Sequence, residues 1–204
     1  EEAERVELLI GRRVDGVAIL TGNMSDQQIL DFSRRVPIVA FGRDVQGERT
    51  HGFCLDNYRG ACEAVEYLIA QGHRRIAHIA GPDDHRDARA RLAGYHDTLA
   101  KHRIESDPRL VVAGDFSESG GLLALNALLA ANQRFTAIFA ANDLTAYGAR
   151  LALYRRNIRV PEDISLVGFD DLESSMYTTP PLTTVRQPLY DAGIGFGRRM
   201  LAVL

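Results

Sequence analysis

Acidic and amide side chains stand in pairs directly after apolar segments at three places. They are Asp56-Asn57 after HGFCL, Asn142-Asp143 after TAIFAA and Asp170-Asp171 after ISLVGF. Two arginines, Arg89 and Arg91, follow Gly81-Pro82, and the aromatic residues Phe41 and Phe116 lie close to other apolar segment ends. A carboxylate accepts hydrogens from neighbouring hydroxyl groups, and a guanidinium donates two parallel hydrogen bonds to adjacent oxygens. With an aromatic ring as a platform, such a set suits a polyol or a sugar. Each piece also has a plainer role. Asn and Asp cap helices, and an arginine on a helix usually faces solvent. Three pairs recurring at one position relative to their strands favour a shared binding cleft.

Nothing in this set supplies a nucleophile with its base. No GxSxG, phosphate-binding loop or GxGxxG follows an apolar segment. The histidines, His51, His73, His78, His85, His96 and His102, show no ligand spacing, so packing or surface roles are expected for them and no metal site. Cys54 and Cys62 fit no metal or redox motif, and both are expected as buried thiols. Gly193, Gly195 and Gly197 fall inside a helix-like segment, where close helix packing explains them better than phosphate binding. The chemistry is recognition without catalysis: no enzyme activity and no cofactor are expected.

The residues singled out need a scaffold that brings strand ends together, and the chain has one. Short apolar strands alternate with amphipathic helices. Strands are expected at 16–20, 37–41, 51–55, 75–81, within RLVVAG, and at 136–141, 164–169 and 182–185. Helices are expected over about 26–34 with Ser25 as cap, from Asp56-Asn57 to Gly72, and over 87–102, 118–132 and 143–156, with a last one after Pro188. This alternation predicts an α/β fold, with parallel sheets covered by helices on both faces. In such sheets ligands bind beyond the carboxyl ends of the strands, which is where the paired side chains lie.

Of the 204 residues, 46% are hydrophobic and 25% charged, which excludes a disordered chain and a disulfide scaffold. The apolar runs are too short to span a bilayer, so no membrane partner is expected. With 24 Lys and Arg against 27 Asp and Glu, the net charge of −3 gives no overall attraction to nucleic acid. The N-terminus carries no signal-like segment, which favours the cytoplasm.

The segments DNYRGACEAVEYLIAQGHRRIAHIAGP (56–82), ARARLAGY (88–95), AIFAANDLTAYGA (137–149), VPEDISLVGFDD (160–171) and PPLTTVRQP (180–188) carry a resemblance. In this order they resemble the effector-binding core of the LacI/GalR family of bacterial transcription regulators, over most of residues 14–204. The resemblance implies two doubly wound lobes of periplasmic-binding-protein type, with the effector bound between them. The first lobe would comprise 1–55 and 187–204, and the second 56–186. By position Arg91 matches an effector-clamping arginine, and Asn142 and Asp170 match the polar residues of the AND and GFDD motifs. Phe116 matches an aromatic wall. Arg43, after Phe41-Gly42, and Asp56 occupy positions that often line the pocket, Phe41 is a second candidate aromatic platform, and Gln187 and Tyr58 are weaker candidates. Asp143 and Asp171 are assigned to capping and lobe structure.

The family's DNA-binding head, the first strand and helix of its first lobe and its last strand have no counterpart here. The chain is therefore expected to be a fragment with an incomplete first lobe. Its expected partners are a sugar-like effector and a second copy of itself. Operator DNA would be bound only through the N-terminal region. A periplasmic sugar-binding protein of a transporter is the alternative on the same fold.

Overall fold

The computed structural model describes residues 2–20 and 24–204. The chain divides into two compact units, Glu1–Leu55 with Pro188–Leu204, and Asp56–Gln187. In the first unit, helix α1 (Glu2–Gly11) precedes strand β1 (Val17–Ile19), helix α2 (Asp26–Ser33), strand β2 (Ile38–Phe41) and the strand pair β3 (Gln46–Gly47) and β4 (Thr50–Phe53). Ser25 caps α2 through a reciprocal pairing with Gln28, as its type and spacing predict. The sheet order is β1-β2-β4-β3. β1, β2 and β4 are parallel, whereas β3 runs antiparallel to β4. That edge strand departs from an all-parallel sheet. It contains only two residues, Gln46 and Gly47, so no apolar alternation announces it.

The second unit holds helix α3 (Asn57–Ala70), strand β5 (Ile76–Ile79), helix α4 (Arg86–Lys101), strand β6 (Val111–Val112), helix α5 (Glu118–Ala130), strand β7 (Ala137–Ala140), helix α6 (Asp143–Tyr154), strand β8 (Ser165–Asp170) and strand β9 (Thr183–Arg186). Helix α7 (Leu189–Val203) returns the chain to the first unit. The five strands are all parallel, in the order β6-β5-β7-β8-β9. Alternate residues serve opposite faces, as the two-residue strand period requires. Ala77, Ile79, Ile138, Ala140 and Leu166 pack with Leu125, Leu128 and Leu153 of α5 and α6. Ile76, Ala137, Phe139, Val167 and Phe169 pack with Val65, Leu68, Tyr95 and Leu99 of α3 and α4. His78 joins this second layer, stacked between the rings of Tyr95 and Phe139.

Helices α5 and α6 approach so closely that only glycine fits at Gly148. A Cβ there would stand 1.8 Å from the carbonyl oxygen of Glu118. The sheet order has a functional consequence. From β5 the chain moves outward to β6, then crosses back to β7 on the other side. The two directions of winding part between β5 and β7, and a crevice opens beyond their carboxyl ends at such a point.

Two smaller expectations are corrected. Cys54 is exposed and Cys62 half-buried, without a disulfide; β4 ends at Phe53, which leaves Cys54 outside the strand that would have covered it. Among the glycines of α7, a Cβ would meet a neighbour only at Gly195, against Phe53, and nothing at Gly193 or Gly197. Close packing therefore explains one of the three.

Candidate functional site

Beyond the carboxyl ends of β5, β7 and β8, the second unit gathers Arg91, Asn142, Asp170, Phe116 and Gln187. Arg91 lies in the second turn of α4, three residues after Ala88 and four before Tyr95, on the buried face of that helix. Only 4% of it is exposed. Its Nε donates to Asn57 Oδ1 at 2.9 Å and its Nη1 to the Ala141 carbonyl oxygen at 2.5 Å. Its Nη2 stands 3.4 Å from Asp170 Oδ1. The guanidinium lies 3.8 Å from the ring centroid of Phe169 and 5.6 Å from that of Phe116. Such faces attract a cation through the ring quadrupole. Burial lowers the pKa of this guanidinium, while the charge of Asp170 opposes the shift.

Asp170 ends β8 with a backbone φ of 115°, and Asp171 follows at 57°. Both lie in the left-handed half of conformational space, where non-glycine residues are uncommon. Gln187 donates its amide hydrogen to Asp170 Oδ1. Burial raises the pKa of the Asp170 carboxyl; Arg91 and Gln187 pull it back, and the charge of Asp143 adds to the rise. The pair is thus desolvated on both sides, with each charge tolerated because the other is present.

Asn142 caps α6, its Oδ1 accepting the Thr145 N–H at 2.9 Å. Its Nδ2 donates to the Phe116 carbonyl oxygen at 3.0 Å, which ties the strand end of β7 to the segment after β6. Phe116 takes a φ of 64°. Its ring lies over Gly81, where a Cβ would be 2.4 Å away, and meets His85 edge-on at 5.1 Å.

The remaining candidates lie elsewhere or are otherwise engaged. Asp56 is exposed and caps α3, accepting the Arg59 N–H at 2.9 Å. Tyr58 donates to Asp97 at 3.0 Å on the outer side of α3 and α4. Arg89 is exposed and donates to the Asp83 carbonyl oxygen. Asp171 accepts from Arg186 at 2.5 Å, which is the structural role expected of it. Phe41 and Arg43 belong to the first unit: Phe41 stacks on Phe53 at 5.9 Å, and Arg43 pairs with Asp26 at 3.4 Å.

Asp143 is not a cap. It is fully buried, and its carboxylate accepts from Leu172 N–H, Ser175 Oγ and Thr184 Oγ1. No local signal announces this, because its three donors lie 29 to 41 residues away along the chain. Arg91, by contrast, is distinguishable from Arg89 by helical period alone, since only Arg91 shares a face with Ala88 and Tyr95. Among the described residues no group of acidic, histidine or cysteine side chains has a metal-binding arrangement. His85, whose ring borders Phe116, is a rim residue that the strand-end pattern does not single out.

A family model described as a periplasmic binding protein-like domain matches residues 65–204. The chain is 34% identical over 197 residues to the HTH-type transcriptional repressor CytR of Escherichia coli strain K12, covering 95% of this chain and 57% of that protein. It is 37% identical over 190 residues to the regulator GalR of the same strain, covering 93% of this chain and 55% of that protein. The chain thus spans a little over half the length of these relatives. A sugar-binding transcriptional regulator of the LacI family from Escherichia coli, complexed with phosphate, superposes with a TM-score of 0.93 at 32% identity, covering 100% of this chain and 74% of that one. A complex of the transcriptional regulator CelR with cellobiose superposes with a TM-score of 0.88 at 38% identity, covering 98% of this chain and 62% of that one. The chain belongs to the periplasmic binding protein-like domain family, in the form that LacI-family transcription regulators carry.

Proposed function

We propose that this chain is the effector-sensing part of a cytoplasmic transcription regulator and that it binds a neutral polyhydroxylated molecule, a sugar or sugar derivative. One observation carries the reading: a buried guanidinium and a desolvated carboxylate, flanked by aromatic rings, meet beyond the carboxyl ends of the second unit's strands. Arg91 offers paired donors, Asp170 and Gln187 offer an acceptor and an amide, and Phe116 offers an apolar face for a sugar ring. Phe41, Arg43, Asp56 and Asn142 are retained as further candidates, with Asn142 acting through the Phe116 backbone it holds. Because Asp170 already balances Arg91, the site favours an uncharged ligand over a phosphate ester. The cellobiose complex of a 38% identical regulator supports the same class.

In the intact regulator, which we read as a homodimer, effector binding would alter operator affinity allosterically. That requires effector and operator to favour different conformations. The operator-reading surface is assigned to a part of the regulator outside these residues. Thermal-shift screening against neutral monosaccharides, disaccharides and nucleosides, each beside its phosphate ester, tests the reading. A neutral effector at 100 times its Kd stabilises by about 2.7 kcal/mol. Stabilisation by the phosphate esters alone would overturn the neutral assignment, and no response from any compound would overturn the sugar assignment.

A further inference from the structure

We propose that Asp143 is a positioning residue of this site, holding the turn that presents Asp170. The inference rests on reading the Arg91–Asp170 pair as the effector site. Asp170 and Asp171 are consecutive non-glycine residues at φ 115° and 57°. Such a backbone persists only where its surroundings over-determine it. Gln187 and Arg186 hold the two side chains, and the backbone N–H groups converge on one carboxylate. Asp143 accepts the Leu172 N–H directly at 2.9 Å. It accepts the Thr184 hydroxyl at 2.5 Å, and that same hydroxyl oxygen faces the Asp171 N–H at 3.3 Å. The two peptide N–H groups that follow Asp170 are therefore both tied to Asp143, one directly and one through Thr184.

A third donor, Ser175 Oγ at 2.6 Å, brings in the end of the same segment. Tyr147 of α6 in turn lies 2.7 Å from Ser175 Oγ. Gly168 provides the room: a Cβ at that position of β8 would be 2.3 Å from Asp143 Oδ1. The sequence VGFDD thus combines the glycine that admits the carboxylate with the strained residues that the carboxylate secures. Asp143 touches no part of the crevice directly and acts through Asp170.

Residue-resolved amide exchange and the NMR resonance of the Arg91 Nε–H test this on the full chain. Asp143→Ala should speed exchange at Asp171 and Leu172 by at least about tenfold, while Val167 and Gly168 within β8 keep their rates. Thr184→Val removes only the bridging hydroxyl, so it should speed Asp171 and leave Leu172 protected. It decides the matter by itself if Asp143→Ala does not fold. In both variants the Arg91 Nε–H resonance should move in the direction that Asp170→Asn moves it, because the carboxylate beside that guanidinium has lost its place. Unchanged exchange at Asp171 in Thr184→Val would overturn the proposal. So would equal acceleration through the whole sheet, or an Arg91 resonance that stays where it is. None of these readouts needs an effector. Their failure counts against Asp143 alone, whereas a silent compound panel counts against the site.

Discussion

At the residue scale the proposed site pairs a buried guanidinium with a half-buried carboxylate, each depending on the other, and this dictates how it should be tested. Asp170→Ala would remove the acceptor and strand Arg91, mixing a stability loss with a binding loss. Asp170→Asn is cleaner, because asparagine tolerates positive φ better than most residues and keeps the side-chain shape. A hydrogen bond to a charged group contributes about 1.5–3 kcal/mol, so effector affinity should fall at least about tenfold. Calorimetric titration of the folded variant checks this, and unchanged affinity would remove Asp170 from the ligand set. Arg91→Lys should be nearly as harmful as Arg91→Ala. One ammonium cannot serve Asn57, the Ala141 carbonyl and Asp170 together, nor lie flat on Phe169. A lysine variant that binds normally would show that the planar fork is not used. Much of this was readable in the residues: Asp170 and Asn142 stand at strand ends, and Arg91 shares a helix face with Tyr95. What was not readable is the division of labour. Asp143 and Asn142 are adjacent strong helix-capping types, and only the fold brings Ser175 and Thr184 to the first and Phe116 to the second.

At the element scale, the strand order places the proposed site beyond the carboxyl ends of β5, β7 and β8, and the strands that carry it are packed by helices on either side. The rhythm of apolar strands and amphipathic helices was legible because the strands of the second unit are covered on both faces. Its boundaries fall within two residues of those expected, the ordinary uncertainty of element ends. The strand β3 was illegible because its pairing with β4 rests on backbone bonds rather than on side-chain pattern. The α5–α6 contact makes a direct prediction. Gly148→Ala must push a Cβ into the Glu118 backbone, so it should destabilise the second unit by about 1–3 kcal/mol in urea unfolding. A neutral result would mean that the helices separate freely, and with them the α6 N-terminus that carries Asn142 and Asp143. The α3–α4 layer makes another prediction. His78 is fully buried between Tyr95 and Phe139, with Nδ1 bonded to the Phe139 carbonyl and Nε2 without a partner among the described residues. Desolvation lowers its pKa to about 4. The unfolded chain therefore binds more protons than the folded one below the ordinary value of about 6.5. Stability should be fully present above that pH and decline as pH falls toward 4, by an amount on the order of 3 kcal/mol. Replacing the imidazole by Phe should flatten the decline in acid-unfolding curves, and an unchanged profile would place the acid sensitivity elsewhere.

At the scale of the whole molecule two surfaces are in question, one that would meet a second copy and one that would meet DNA. Leu151 and Tyr154 of α6, with Met176 and Tyr177 of the turn after β8, are all exposed large apolar side chains. Four such groups on neighbouring segments of one unit exceed a scatter of single exposed residues and suit a two-fold contact between copies. Sedimentation at micromolar concentration should find a dimer that Tyr154→Asp weakens; a monomer at all concentrations would refute it. The DNA prediction runs the other way. This chain should show no sequence-selective operator binding, and at most a weak association that salt abolishes. Paired arginines at 12–13, 34–35, 74–75, 155–156 and 198–199 look like a basic footprint in one dimension. In the structure they fall on separate elements, and four of these side chains are already engaged. Arg35 pairs with Glu7 at 2.5 Å, Arg75 with Asp107 at 3.4 Å, Arg74 donates to the Ile69 carbonyl, and Arg156 donates to Asn126. The net charge is −3. Reading bases requires a helix or strand free to enter a groove with a basic stripe beside it. The helices of the second unit instead commit their apolar faces to the sheet. A gel-shift titration of the chain against candidate promoter fragments decides the point. Selective retardation at physiological salt would place base recognition in the part assigned here to sensing, and loss of all retardation above about 0.2 M salt would leave only counter-ion release to explain any binding seen below it.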